Sequence, residues 1–388
     1  MKTGNSILSS YGTTIFEVMS RLAEEHRAVN LGQGFPDDSG PADVVAEAQR
    51  YLAEGWNQYP SMMGLPALRQ AVAAHAKRFY GLDVDWAREV MVTSGATEAL
   101  AACLFGLLEP GDEAVLFQPL YDSYVPIIRC AGAVPRFVAL DPAKGWSFTR
   151  ESLEAAFGPK TKLVVLNNPL NPAAKVWTEA ELRVLAEVVV KHDAYVVCDE
   201  VYEHLVFDGR RHVPLITLPG MRERCLRIGS AGKTFSLTGW KVGYVTGAPG
   251  LMQPVAKAHQ FLTFTTPPNL QSAVALGLGK EDAYFTGLAG SMQAKRDRLS
   301  AGLRAAGLTV LPAEGTYFLI ADIGAHLRDG EDDQAFAKRL TVEAGVTTIP
   351  VSAFYETDAP RHLVRFCVCK RDEVLDAGLE RLGAYFGG

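Results

Sequence analysis

Lys233 stands in the run Ser230-Ala231-Gly232-Lys233-Thr234-Phe235-Ser236-Leu237-Thr238-Gly239-Trp240-Lys241-Val242-Gly243, among small residues and hydroxyls, with a second cation, Lys241, eight places on. A primary amine forms a Schiff base with a carbonyl only when neutral, and burial beside another positive charge lowers its pKa towards that state. Lys241 could supply the charge. Ser230, Thr234 and Lys241 also provide the hydroxyls and the cation that a phosphate needs, on a turn that glycine opens to close approach. A phosphorylated aldehyde would satisfy both requirements. Two other readings compete. One is a turn with a solvated lysine, since surface lysines are common. The other is the end of a nucleotide-binding P-loop, which fails on spacing because Arg227 stands where that motif needs its first glycine.

Other side chains with chemistry to offer follow short apolar runs. Asp199, Glu200 and Tyr202 come after Ala194-Tyr195-Val196-Val197-Cys198; Asn167, Asn168 and Asn171 come after Leu163-Val164-Val165-Leu166; Tyr121 comes after Ala114-Val115-Leu116-Phe117. Val90-Met91-Val92-Thr93 ends at Ser94-Gly95-Ala96-Thr97, and a helix is expected from Glu98 onward. A strand, a glycine turn and a helix N-terminus together make an anion site. Such β-branched runs alternating with helical stretches from Glu89 onward predict an α/β fold with a mostly parallel sheet covered on both faces. Ligands in open α/β sheets bind outside the carboxyl ends of the strands, so these side chains would converge there. Each has a plainer reading. Asp199 could cap a helix, Tyr121 could be packing, and the Thr97 turn could be an ordinary strand-to-helix connection.

Before the sheet, Ile15, Phe16, Met19, Leu22 and Ala23 are spaced for one face of a helix over 15–25, either a substrate-side arm or a plain packing helix. Asn30 to Asp37 is an extended segment whose Gly32 and Gly34 permit close backbone approach to a ligand or simply make a turn. Tyr59 lies on a loop, followed by a helix through Ala76 with Pro66 in its first turn; its phenol could reach a phosphate. Beyond Leu251 helical patterns dominate, with short strands at Tyr317–Ile320 and Leu363–Phe366, which predicts a smaller α+β domain. Arg365 sits among apolar neighbours, where an unpaired guanidinium is expensive, so a carboxylate from substrate or protein is expected beside it.

The chain of 388 residues, 48% hydrophobic, can bury a large core and is expected to divide into two domains. Its formal charge of −6, from 44 acidic and 38 basic residues spread throughout, offers no basic stripe for nucleic acid or an anionic membrane. The six cysteines lie mostly in apolar runs without paired metal-ligand spacing and read as reduced core residues, with no metal expected. No leader-like h-region or membrane-length apolar run is visible, which makes the cytoplasm the default.

Taken in order, Asn30 to Asp37, Asn57-Gln58-Tyr59, Thr93 to Ala99, Asn171-Pro172, Asp199-Glu200-Val201-Tyr202, the Lys233 run and the Arg365 run resemble the class I/II aminotransferases of fold type I, over nearly the whole chain. That resemblance implies pyridoxal 5'-phosphate as cofactor and a mostly parallel seven-stranded sheet flanked by helices. It also implies a small domain built from 1–40 (arm and first part) and 286–388, around a large cofactor-binding domain, 41–285. Lys233 would hold the cofactor and shuttle the α-proton, Asp199 would keep the pyridine nitrogen protonated, and Asn171 and Tyr202 would bond its phenolic oxygen. Tyr121 would stack on the ring; Gly95, Ala96, Thr97, Ser230 and Lys241 would hold the phosphate. Tyr59 would reach that phosphate from the second subunit of a homodimer with shared active sites. Arg365 would fork onto the substrate carboxylate beside the Gly34 backbone, with Asn171 nearby and Phe16 and Tyr355 forming an apolar pocket.

Two departures stand out: Asn171-Pro172-Ala173-Ala174 replaces Asn-Pro-Thr-Gly, and Lys241 stands where many members carry arginine. Phe16, Gly34-Phe35-Pro36-Asp37, Val201-Tyr202-Glu203-His204 and Thr238 to Gly243 are most similar to the methionine and kynurenine aminotransferase and N-succinyldiaminopimelate aminotransferase branches. A methionine-like or aromatic amino donor and a 2-oxo acid acceptor are expected. Alternatives are an N-succinyldiaminopimelate donor, a cysteine-conjugate β-lyase on the same scaffold, and a cofactor-binding regulatory module without turnover.

Overall fold

The computed structural model describes residues 2–387. Thirteen strands in these residues are numbered in chain order: β1 Val29–Asn30, β2 Val90–Thr93, β3 Glu113–Gln118, β4 Val134–Ala139, β5 Thr161–Asn167, β6 Tyr195–Asp199, β7 Cys225–Ser230, β8 Gly243–Gly247, β9 Thr309–Val310, β10 Phe318–Asp322, β11 Val346–Thr347, β12 Ile349–Pro350 and β13 Leu363–Cys367. Seven form one sheet in the order β2-β8-β7-β6-β5-β3-β4. The β3–β4, β3–β5, β5–β6 and β6–β7 pairs are parallel, and β8 runs antiparallel to both β2 and β7.

The strands of this sheet read as near-continuous apolar runs because helices cover both faces. Alternate residues of one strand enter different cores. Leu163 and Val165 pack on one side with Met91, Leu116 and Val197, while Val164 and Leu166 pack on the other with Val115, Val196 and Trp177. Strand order reverses between β3 and β5, since the chain lays β4 on one side of β3 and then crosses back to place β5, β6 and β7 on the other, and the carboxyl ends of β5 and β6 carry Asn167 and Asp199 in register. That is the position at which open α/β sheets take ligands.

The remaining strands form an antiparallel sheet, β12-β13-β10-β9, and a short parallel pair, β1–β11. A third core lies between the four-stranded sheet, through Leu319, Ala321, Val364 and Phe366, and two long helices, Asp282–Ala305 and Asp372–Phe386, through Leu299, Leu303, Leu375 and Leu382. The helix expected over 15–25 is present at Ile15–Glu25, with Thr14 accepting the Glu17 N–H as its cap.

The boundary that bears on the site differs from the sequence reading. The helix after β2 begins at Gly95, not Glu98, so Gly95, Ala96 and Thr97 form its first turn. Gly95 takes φ +78, a conformation that a side chain strains, which lets the chain turn straight from strand into helix. Gly243 at the start of β8 lies against that turn so closely that a Cβ there would come 2.7 Å from the Gly95 carbonyl carbon.

Candidate active site

A cavity of about 280 Å³ opens at the carboxyl ends of β5, β6 and β7. It gathers Lys233, Asp199, Asn171, Tyr202, Tyr121, Gly95, Ala96, Thr97, Ser230 and Lys241 with Phe16, Gly34 and Arg365. Residues from 16 to 365 thus meet at one place, although the sequence gives each a plainer alternative. Two of the expected side chains lie elsewhere. Tyr355 lines a neighbouring groove together with Phe16 and packs on the same small cluster. Tyr59 is 80% exposed and rests its ring edge on Phe264, outside this chain's own cavity.

Lys233 occupies a one-turn helix, Ala231–Thr234, which directly continues β7. Its Nζ finds only the Gly34 carbonyl, at 3.5 Å, and lies over the rings of Tyr202 and Tyr317 at 5.5 and 5.8 Å. Tyr317 donates its hydroxyl to the Lys233 carbonyl at 2.5 Å and so holds the turn itself. Burial lowers the pKa of Lys233, and the charge that adds to the effect is that of Arg365. This corrects the sequence reading, which gave that role to Lys241. Lys241 instead sits in the left-handed region, φ 53, with its aliphatic stem against Gly95, where a Cβ would lie 3.2 Å from Lys241 Cε.

Asp199 ends β6, with one carboxylate oxygen, Oδ2, accepting the Tyr124 hydroxyl at 2.6 Å. The other, Oδ1, is buried and has no hydrogen-bond partner. Burial raises the pKa of Asp199, opposed by the Tyr124 bond, the Val201 N–H and the charge of Lys233. A buried acceptor without a donor is costly, and an N–H cation on the cavity side would satisfy it. Burial likewise pushes the phenol of Tyr202 well above its ordinary range, while Arg365 pulls it back.

Arg365 lies in β13, fully buried, with its guanidinium 3.9, 4.8 and 5.4 Å from the ring centres of Phe318, Phe354 and Phe16. Nη1 donates to Asn171 Oδ1 at 2.9 Å and Nη2 to the Gly32 carbonyl at 3.0 Å, whereas Nε has no partner. The protein supplies no carboxylate to this cation among the described residues, so of the two sources expected from sequence only a ligand remains. Burial lowers its pKa to about 10, still charged at neutral pH. Gly34 makes its close approach to Phe318, whose ring would lie 2.7 Å from a Cβ at 34. That contact seats the Asn30–Asp37 segment against the aromatic clamp.

The structure also brings in residues that the sequence reading missed. Tyr124 is three residues beyond Tyr121, and the two rings meet edge to face at 5.7 Å. Asp122, Phe318, Gln33 and Thr238 line the cavity. Gln33 ties the 30–37 segment to the 15–25 helix by bonding the Phe16 carbonyl at 3.1 Å and the Ser20 hydroxyl. Outside the cavity, His75, Glu203 and His204 lie within 4.8 Å of one another. There Glu203 is already committed to Arg227 and to Tyr80, at 2.5 Å for the latter, and the group forms part of a buried ion network.

The arrangement fits pyridoxal phosphate. The orphaned Oδ1 of Asp199 suits a protonated pyridine nitrogen, a lysine of lowered pKa suits an aldehyde, and the Gly95 turn with Ser230 and Lys241 suits a phosphate. Residues 26–382 match the family model of aminotransferase class I and II. The chain is 44% identical to a probable N-succinyldiaminopimelate aminotransferase of Mycobacterium tuberculosis, over 97% of each chain. It is 40% identical to a kynurenine–oxoglutarate transaminase of Dictyostelium discoideum, over 96% of this chain and 94% of that one. A solved Escherichia coli structure with an identified methionine aminotransferase function superposes with a TM-score of 0.95 at 40% identity, covering 99% of this chain and 100% of that one. The chain therefore belongs to the class I and II aminotransferases of fold type I. It is a pyridoxal-phosphate-dependent transaminase, an enzyme class that works on amino and oxo acids.

Proposed function

We propose that the enzyme moves the amino group of an apolar, aromatic or sulfur-containing L-amino acid, methionine-like in shape, to a 2-oxo acid. The observation that carries this reading is the set of cations lining the cavity among the described residues: Lys233, Lys241 and Arg365 alone. The first two are assigned to the cofactor and the third to the α-carboxylate, which leaves no cation for a distal carboxylate. The wall that remains for the side chain is Phe16, Phe35, Leu100 and Phe318, with Tyr355 behind Phe16.

When bound, the cofactor supplies a cationic ring that stabilises negative charge at the donor's α-carbon. Arg365 binds and orients the α-carboxylate, helped by Asn171 and the Gly34 backbone. Its clamp of three rings fixes the guanidinium plane, so the ordering cost is met before substrate arrives. Nζ of Lys233 takes the proton from the α-carbon, which burial makes feasible by favouring the neutral amine. Asp199, held by Tyr124, would keep the pyridine nitrogen protonated; Asn171 and Tyr202 would hold the phenolic oxygen; Tyr121 would stack on the ring. Gly95, Ala96, Thr97, Ser230 and Lys241 would take the phosphate.

Tyr59 completes that phosphate site from a second copy in a homodimer. The exposed Tyr59 and Phe264, whose rings meet edge to face at 5.6 Å, support such an interface, since large apolar groups exposed together mark association surfaces. We also read 41–285 as the cofactor-binding domain, with 1–40 and 286–388 forming the smaller one.

A second reading, N-succinyldiaminopimelate as donor, is favoured by the name of the 44% identical Mycobacterium tuberculosis relative. Initial rates of the holoenzyme with 2-oxobutyrate, an oxo acid without a second carboxylate, across methionine, phenylalanine, glutamine, aspartate and the succinylated diamino acid decide between them. Methionine or phenylalanine should lead, and a strong preference for aspartate would reject the proposal. Pyruvate and ammonia released from a β-substituted cysteine without an oxo acid would instead indicate β-elimination.

A further inference from the structure

Asp122 is the one carboxylate in the cavity with no role in the chemistry just assigned. It follows Tyr121 on the loop after β3 and is half-buried. With Phe16 and Thr97 it lines both the cavity and a second hollow of about 540 Å³, whose other walls include Ile15, Ile127 and Tyr355. These three residues are therefore the neck between the reacting centre and the groove into which a long donor side chain would extend.

The neck and groove carry a particular charge. Among the residues lining the groove there is no lysine or arginine, and the two acids are Asp122 and Glu356. Glu356 is paired with Arg129 at 2.8 Å. Asp122 has no cation within ion-pair distance among the described residues, and its one side-chain contact, the Ser123 hydroxyl, is 3.5 Å away. Burial raises its pKa, and the Ser123 hydroxyl and, less strongly, the field of Arg365 oppose the rise. A partly desolvated, unpaired carboxylate repels a second one and welcomes an N–H or an apolar group that leaves its remaining hydration intact.

We propose that Asp122 is a specificity-determining residue of this enzyme, rejecting amino donors that carry a distal carboxylate and admitting those whose side chain is uncharged or bears an N–H at the neck. The proposal rests on the methionine-like reading of the donor and gives it a cause. It also sets the enzyme against succinylated or dicarboxylic donors.

The test is the single-turnover rate of cofactor conversion in the holoenzyme at about pH 8, where carboxylates are ionised, with L-methionine and with L-glutamate, for the wild type and Asp122→Asn. The wild type should favour methionine by at least about tenfold, and Asp122→Asn should narrow that ratio by about tenfold, the effect of one like-charge contact of about 1.4 kcal/mol. A ratio unmoved in Asp122→Asn while methionine still reacts quickly overturns the role of Asp122 and leaves the donor reading standing. Glutamate outrunning methionine in the wild type overturns both. Equilibrium binding to the wild-type holoenzyme gives a second decision that needs no variant: pentanoate should bind at least about tenfold tighter than glutarate, and equal binding overturns the proposal.

Discussion

Arg365 and Asp199 each leave one polar atom buried and unanswered, and those two atoms define where a ligand must bring an anion and a cationic N–H. Replacing Arg365 with lysine keeps the charge but loses the planar fork held between three rings. Substrate binding should weaken by about 1.5–3 kcal/mol, read as a higher KM, and an unchanged KM would reject the carboxylate role. Tyr124→Phe removes the one hydroxyl on Asp199 and leaves the ring in place. Cofactor affinity should fall about tenfold, measured by titrating the apoenzyme and following quenching of protein fluorescence; an unaltered dissociation constant would mean that Tyr124 only packs. Lys233, Asp199 and Asn171 were legible in the sequence because each follows a short apolar run or a glycine-rich turn. Tyr124 and Asp122 were not, since their contacts depend on how the loop after β3 folds back over β6.

At the scale of the elements, β6 and β7 are fastened behind the site by an ion network that the sequence showed only as a misfit. Arg227, the residue that breaks the P-loop spacing, is fully buried in β7 and pairs with Glu200 at 2.5 Å and with Glu203. His212 bonds Glu200 at 3.0 Å, and Tyr80 lies under the guanidinium at 4.7 Å. Arg227 holds the Glu203 carboxyl well below its ordinary range despite burial. Removing the cation strands two buried carboxylates, so Arg227→Ala should lower unfolding free energy by about 3–5 kcal/mol in urea denaturation. A loss under 1 kcal/mol would show that water replaces the guanidinium. The sequence placed the strands of the large sheet well because two-sided burial makes them continuously apolar. It placed the start of the Gly95 helix three residues late, because the strained turn at Gly95 and the contact with Gly243 are made across the sheet.

For the whole molecule, the acid limit of stability follows from the two histidines beside that network. His75 and His204 face each other with Nε2 atoms 2.7 Å apart, and burial lowers their pKa values to about 4 and about 3. Unfolded histidine titrates near 6.5, so the unfolded chain binds more protons as pH falls from there. Stability is full above about pH 7 and declines towards pH 4, by roughly 2 kcal/mol for each histidine and so about 4 kcal/mol for the pair at pH 5. Urea midpoints at pH 7.5 and pH 5 measure this, and a His75→Gln, His204→Gln double variant should show a flatter profile; an equal slope would place the acid sensitivity elsewhere. At this scale the sequence conveyed the convergence of motifs at the carboxyl ends of the strands. The groove beyond Asp122 was out of reach, because its walls come from chain positions more than three hundred residues apart.

The most direct measurement is the visible spectrum of the purified holoenzyme before and after one addition of L-methionine without an oxo acid. The aldehyde band of the bound cofactor should convert to the amine form, and Lys233→Ala should abolish catalytic conversion while the protein still binds cofactor. A wild-type band that no amino acid converts, or one unaffected by loss of Lys233, would contradict the assignment of this site as the transamination centre.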